Sequence, residues 1–118
     1  MKFKAQLLLA LSCFLWGCET HPTFDDTRSE LKVQLSTVVV EDGINLQEAN
    51  IIAQSYFIRF GPACGAAEDA TDGGEVWIAK TYIGIAGMPT REPIRIDKHS
   101  GRVKWSNGPT IENPKTIL

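Results

Sequence analysis

Few side chains in this chain have the type and spacing to do covalent chemistry. Cys64, within Gly61-Pro62-Ala63-Cys64-Gly65, is a possible nucleophile. A thiolate nucleophile needs a lowered pKa and a base within hydrogen-bond reach. The chain has 2 His, His21 and His99, and His21 falls in a polar, turn-rich stretch. Cys64 is therefore expected to be a small, partly buried apolar side chain at a helix exit, and His99 a solvent-exposed turn residue. Asp69-Ala70-Thr71-Asp72-Gly73-Gly74-Glu75 has the composition of a calcium loop. It lacks the D-x-[DN]-x-[DN]-G spacing and the distal glutamate, so a solvated acidic loop is expected. There is no G-x-x-x-x-G-K-[ST], G-x-G-x-x-G, H-E-x-x-H or G-x-S-x-G. Carboxylates are available for acid–base work, but nothing marks a cleft that would set one against another. The expectation is a protein without enzymatic activity, cofactor or metal.

The remaining chemical signal is charge. Arg95, Arg102 and Lys104 alternate with apolar residues, so a strand hairpin would gather them on its outward face. Lys80 could join them from a neighbouring strand, and Arg91 ends the flexible segment at that edge. One reading is an ordinary charged strand face; the other is a basic patch that steers an acidic protein partner. Trp77 and Trp105 are expected in the core rather than in a ligand cage. With 12 basic and 14 acidic side chains the formal net charge is −2, so no global field recruits nucleic acid. The charge is uneven: residues 18–75 carry 3 basic and 11 acidic side chains, residues 76–118 carry 7 and 3. Such asymmetry either marks a binding face or lets the two halves attract each other.

These residues need elements to position them. Leu31, Val33 and Leu35 alternate with Lys32 and Gln34 and lead into Thr37-Val38-Val39-Val40, which predicts a strand over 31–40. Asn45 followed by Glu48 is a capping box, and Leu46, Ala49, Ile52, Ala53, Tyr56, Phe57 and Phe60 form one apolar stripe, predicting a helix over 46–60. Gly61-Pro62 should end it with a left-handed cap. Residues 66–74 read as an acidic loop, Glu75–Ile83 as one strand and Gly84–Arg91 as a flexible connection. Pro93–Asp97 and Arg102–Trp105 read as a hairpin whose turn gives Gly101 a positive φ. Ile94, Ile96, Val103 and Trp105 would face inward. The order β-α-β-β-β implies an α+β domain, one helix packed on a three- to four-stranded antiparallel sheet.

At 118 residues the chain has room for a single domain. Lys2 and Lys4 precede a run from Ala5 to Trp16 that is apolar except at Gln6, Ser12 and Cys13. This is a basic start and an apolar segment too short to span a bilayer, which reads as a secretory signal. Leu15-Trp16-Gly17-Cys18 resembles the lipobox of bacterial lipoproteins, a better match than Ala10-Leu11-Ser12-Cys13 because it leaves a longer apolar run. The resemblance implies cleavage before Cys18, a diacylglyceryl thioether with palmitate-type chains on that cysteine, and a stable membrane anchor. Glu19 after the cysteine implies the periplasmic face of the outer membrane rather than the inner one. The organisation expected is a signal peptide over 1–17, a tether over 18–29, the domain over 30–108 and an irregular tail over 109–118. Cys64 would be the one thiol left to the mature domain, without an internal disulfide.

Asn45–Ala53 running into Tyr56 and Phe60-Gly61, then Glu75-Val76-Trp77-Ile78-Ala79-Lys80-Thr81 and Pro93–Val103, resemble a small bacterial immunity-protein family with a nuclear transport factor 2-like, or cystatin-like, fold. The hairpin Asp97-x-x-x-Gly101-x-Val103 is also similar to that of PepSY-type extracytoplasmic domains. Neither family is enzymatic. The resemblance covers roughly residues 43–106 and implies an immunity or inhibitor protein that binds a protein partner such as a toxin. The alternative is a structural or accessory envelope lipoprotein with no inhibited target. The anchor is directly testable: Cys18→Ser should accumulate as an unprocessed, non-acylated precursor, whereas intact-mass measurement of the wild-type membrane form should show the added acyl groups.

Overall fold

A computed structural model of the chain describes residues 24–84 and 86–118. The expected signal segment, Cys18 and residues 19–23 lie outside the described residues. The first element is a helix, α1 (Phe24–Ser36), where a tether and then a strand were expected. The alternation Leu31, Val33, Leu35 contains its own helical pair, because Leu31 and Leu35 are also i and i+4. The helix uses that pair: Leu35 is buried, Leu31 half-buried, and Val33 is left 68% exposed. Asp25 and Asp26 in the first turn suit the positive end of the helix dipole. Beyond Ser36 the chain turns without forming a strand, and Val38 enters the core.

The second helix, α2 (Leu46–Phe60), has the expected bounds and capping box. The Asn45 side chain accepts from the Glu48 N–H at 2.8 Å, and the Glu48 carboxylate accepts from the Asn45 N–H at 3.1 Å. The other Glu48 oxygen accepts from the Val39 N–H at 2.8 Å, which fastens the end of the preceding segment to the start of α2. The helix end differs from expectation. Gly61 is extended (φ −80°, ψ 166°), not left-handed. Glycine is needed there for clearance, because a Cβ would stand 2.6 Å from the Phe57 carbonyl oxygen and 2.9 Å from its ring.

Seven short strands follow: β1 (Gly65–Ala67), β2 (Thr71–Asp72), β3 (Val76–Ala79), β4 (Thr81–Ile83), β5 (Met88–Pro89), β6 (Ile94–Asp97) and β7 (Val103–Lys104). They build two antiparallel sheets, one ordered β2-β3-β6-β7 and the other β1-β4-β5. The expected acidic loop thus contains two strands, the flexible connection contains β5, and the single strand over 75–83 is two strands divided at Lys80. The α+β class stands, with α2 against the four-stranded sheet and α1 added beside α2. The inward hairpin residues Ile94, Ile96, Val103 and Trp105 are buried as expected, with Ala49, Ile52, Ala53, Tyr56 and Phe57 of α2. Trp105 meets the rings of Tyr56 edge-on at 6.1 Å and Phe57 at 5.9 Å. Gly101 has φ +74°, and its N–H donates to the Asp97 carbonyl at 3.0 Å.

Residues 109–118 carry little regular structure, as expected, but they are docked on the domain. Ile111 bridges Val103 along the edge of β7, with both N–H···O distances 2.9 Å. Asn113 then caps a 3₁₀ turn over Pro114–Thr116, and Ile117 is 0% exposed. The Tyr56 hydroxyl donates to the Pro109 carbonyl at 2.6 Å, and Arg59 donates to the Ile117 carbonyl at 2.6 Å. The domain therefore runs through this segment, which covers a sheet edge that would otherwise be open. Ile117→Ala should destabilise by about 2–4 kcal/mol in urea unfolding, a loss that an undocked tail would not show.

Candidate cationic face at the junction of the two sheets

The register decides where the cations go. Across the four-stranded sheet Ile78 lies opposite Thr71 and Arg95, and Arg95 opposite Lys104, forming one outward row; Trp77, Ile96 and Val103 make the neighbouring inward row. Continuing the β3–β6 ladder past Ala79↔Ile94 would set Lys80 against Pro93. The pairing ends before that position, at Ala79↔Ile94. Pairing resumes on new terms: the Thr90 N–H donates to the Thr81 carbonyl at 2.9 Å, and the two threonine hydroxyls hydrogen-bond to each other. Arg91 and Glu92 are the extra residues between the two registers, and they are extruded as in a bulge. The Glu92 carbonyl is held by the indole N–H of Trp105 at 3.1 Å and by the Thr90 hydroxyl at 2.8 Å.

This break places the five expected binding residues in three settings. Lys80 and Arg91, both exposed, line one groove of about 330 Å³ together with Ile78, Thr81, Tyr82 and Pro93. Arg95 and Lys104, opposite one another, line a second hollow with Glu92 and Trp105. Arg102 does not join either. Its Nε sits 2.8 Å from Glu112, in the segment expected to be irregular, so a carboxylate ties it to the tail. Arg95 is likewise paired, with Glu92 at 2.8 Å. Among the described residues Lys80, Arg91 and Lys104 have no ion-pair partner. The Glu68 carboxylate accepts from Tyr82, one of the lining residues, and holds that phenol's pKa above its ordinary value.

The other residues singled out for chemistry lie apart from this face. Cys64 is exposed, not partly buried, because its carbonyl rather than its side chain is used, accepting from the Gly84 N–H at 2.9 Å. His99 is exposed as expected, in the β6–β7 turn, with Nε2 3.5 Å from Glu75. It belongs to a different sheet from the strand that follows Cys64, so the structure does not make a thiol–imidazole pair. Asp72 bonds Lys98 at 2.6 Å and the Gly74 N–H at 2.9 Å, and Lys98 lies 4.4 Å above the Trp77 ring. Among the described residues no three His, Cys, Asp or Glu come together as a metal site. The looped-out pair Arg91–Glu92 and the partner Glu112 escaped sequence reasoning. No protein-family model, curated protein or solved structure matches the chain.

The turn that fixes the β6–β7 register is held by charge. The Asp97 carboxylate accepts from the Ser100 N–H at 2.7 Å and the His99 N–H at 2.8 Å, bonds that hold its pKa below the ordinary value. Lys98, then the Gly74 N–H, do the same for Asp72. A carboxyl depressed in the folded state binds its proton more tightly when unfolded. Its contribution is therefore complete above the ordinary value near pH 4 and disappears as pH falls through the lower folded value. Asp97→Asn should cost about 1 kcal/mol at pH 7 and should lose less stability than wild type between pH 5 and acid, as measured by thermal melts across that range.

Proposed function

We propose that this chain is a lipid-anchored binding protein of the bacterial cell envelope that acts without chemistry of its own. It serves as an immunity or inhibitor protein on a protein partner such as a toxin. The observation that carries the binding reading is Lys80 and Arg91, two exposed cations with no ion-pair partner among the described residues, on the groove where two sheets part, with Lys104, also without an ion pair, in the second hollow beside Arg95. Fully hydrated, unpaired cations contribute little to the stability of the fold, but they steer an acidic partner and fix its register on arrival. The groove adds an apolar floor in Ile78, Pro89 and Pro93, the kind of recess that takes an anchoring side chain from a partner. The class of partner follows from the resemblance of residues 43–106 to immunity proteins, and the address from the lipobox-like sequence at Cys18.

The acylated chain immobilised on beads, challenged with envelope extract from cells that carry the neighbouring genes, should retain one partner. Its association rate should fall as salt rises. Reversal of Lys80, Arg91 and Lys104 to Glu should slow association about tenfold or more with an unchanged melting temperature. Arg102→Glu should act mainly on stability, through Glu112. Equal capture and equal association rates for wild type and the triple reversal would remove this face from the reading.

A further inference from the structure

The two helices form an antiparallel pair. The segment after α1 is tied to the start of α2 through Val39 and Glu48. The first half of α1, Thr27 and Leu31, lines a cavity with the end of α2 and the Gly61–Ala66 segment. The N-terminus of α1 therefore lies at the end of the domain where α2 gives way to β1. The same end carries the tip of the small sheet: Gly65 pairs with Ile83, Ile83 with Met88, and the Gly84 N–H bonds Cys64. Two stretches meet at this tip, Gly-Pro-Ala-Cys-Gly-Ala-Ala over 61–67 and, from the stretch over 83–90, Ile83-Gly84 and Ala86-Gly87-Met88-Pro89-Thr90. In a chain that is 22% charged, neither stretch contains a charged residue. Met88 is 65% and Ile83 37% exposed, and Pro62, Ala63 and Pro89 are exposed as well. Arg59 precedes the first stretch and Arg91 follows the second; the acids of this end, Asp25, Asp26 and Glu68, stand outside both.

We infer that this uncharged tip rests on the lipid surface that holds the anchor, with Ile83 and Met88 entering the headgroup region. The inference rests on acylation of Cys18 as proposed above. From Cys18 to Phe24 there are six residue steps, which at full extension reach only about 20 Å. A domain on so short a lead cannot turn its α1 end far from the bilayer. Tethering also makes contact intramolecular, at an effective concentration near the millimolar range, so a few apolar side chains suffice where a free protein would need a larger surface. Exposed apolar residues without a charge among them suit a lipid interface, and the short lead selects lipid over a protein partner as what covers them.

Cys64, exposed at the tip, is a native reporter. The acylated wild-type chain, labelled there with a small environment-sensitive fluorophore, would be reconstituted in phosphatidylethanolamine–phosphatidylglycerol vesicles with and without headgroup-nitroxide lipid. The control carries the label at Asp42→Cys in a Cys64→Ser background, in the loop at the opposite end of the helix pair. Nitroxide lipid should remove most of the Cys64 emission and little of the Asp42→Cys emission. Ile83→Asp with Met88→Asp should restore most of the Cys64 signal. Intact mass of each sample reports the acyl chains independently. Equal quenching at both positions in chains that carry acyl groups overturns the inference and leaves the anchor standing. A mass without acyl groups removes the anchor, and the inference with it. Emission unquenched in vesicles, combined with protection of Cys64 from alkylation in intact cells, assigns the tip to a protein and overturns the lipid reading.

Discussion

A change of register between paired strands shapes the molecule. β3 and β6 pair regularly from Val76↔Asp97 to Ala79↔Ile94, and pairing resumes between Thr81 and Thr90 in a different register. Arg91 and Glu92 are the slack between the two. Three consequences follow from that shift. The chain beyond Lys80 pairs with β1 and β5 instead of β2 and β6, so a second sheet exists. Arg91 is pushed to the rim of the groove that the parting of the sheets opens. The second sheet carries its uncharged tip to the end of the molecule where α1 begins. The cationic face and the apolar tip are thus products of the same interruption, placed on the two sides of it.

What resists this interruption is the packing of α2. Its stripe covers the inward side of the four-stranded sheet, and Trp105 joins both layers by touching Tyr56 and Phe57 and donating to the Glu92 carbonyl. The extruded pair is therefore pinned on its backbone while the Arg91 side chain is left to solvent. The C-terminal segment closes the other side. Burial pushes the Tyr56 phenol up to about 12, which favours the neutral form that donates to Pro109. A raised phenol pKa leaves this contribution whole below its ordinary value and removes it only in strong alkali, so the contact serves throughout the physiological range. Ser55 is the exception to this economy: its hydroxyl is buried without a hydrogen-bond partner among the described residues.

Sequence pattern was a good guide where one local rule acted alone. The capping box and apolar stripe of α2, and the β6–β7 hairpin with Gly101, were legible because period, cap and turn residue agreed. It misled where two rules fit the same residues. Leu31 and Leu35 satisfy a strand period and a helix period at once, and tertiary contact with α2 chose the helix. From Trp77 to Thr81 the in-and-out parity is unbroken: Trp77, Ala79 and Thr81 alternate with Ile78 and Lys80 straight through the division of the sheets. A period of two reports only parity, so it cannot register a change of partner strand. Gly61 shows the same limit at a single residue, since a glycine required for clearance and one required for positive φ look alike in sequence. Of the candidate residues, Arg95 and Lys104 were placed on one outward face by type and period. The ion pair of Arg102 was not legible, because its carboxylate partner, Glu112, lies beyond the period, in a segment that only tertiary packing orders.

The uneven charge of the chain can now be assigned to specific pairs. Attraction between an acidic first half and a basic second half would consume the cations of residues 76–118 in contacts with residues 18–75. The structure makes two such contacts, Lys98 with Asp72 and His99 with Glu75, and the second needs a protonated imidazole. Arg95 and Arg102 take carboxylates from their own half, Glu92 and Glu112. Both are held by short segments the ladder does not include, one extruded at the sheet junction and the other in the docked tail. Self-attraction therefore accounts for little of the asymmetry. The acids of the first half lie largely on α1, the loops and the capping box, away from the outward row of the sheet. Lys80, Arg91, Lys104 and Lys115 remain without an ion pair among the described residues, and Lys80 and Arg91 flank the recess where the pairing changes. A surplus that neither stabilises the fold nor is screened by its own acids is available to a partner, and its field weakens over a Debye length as salt rises.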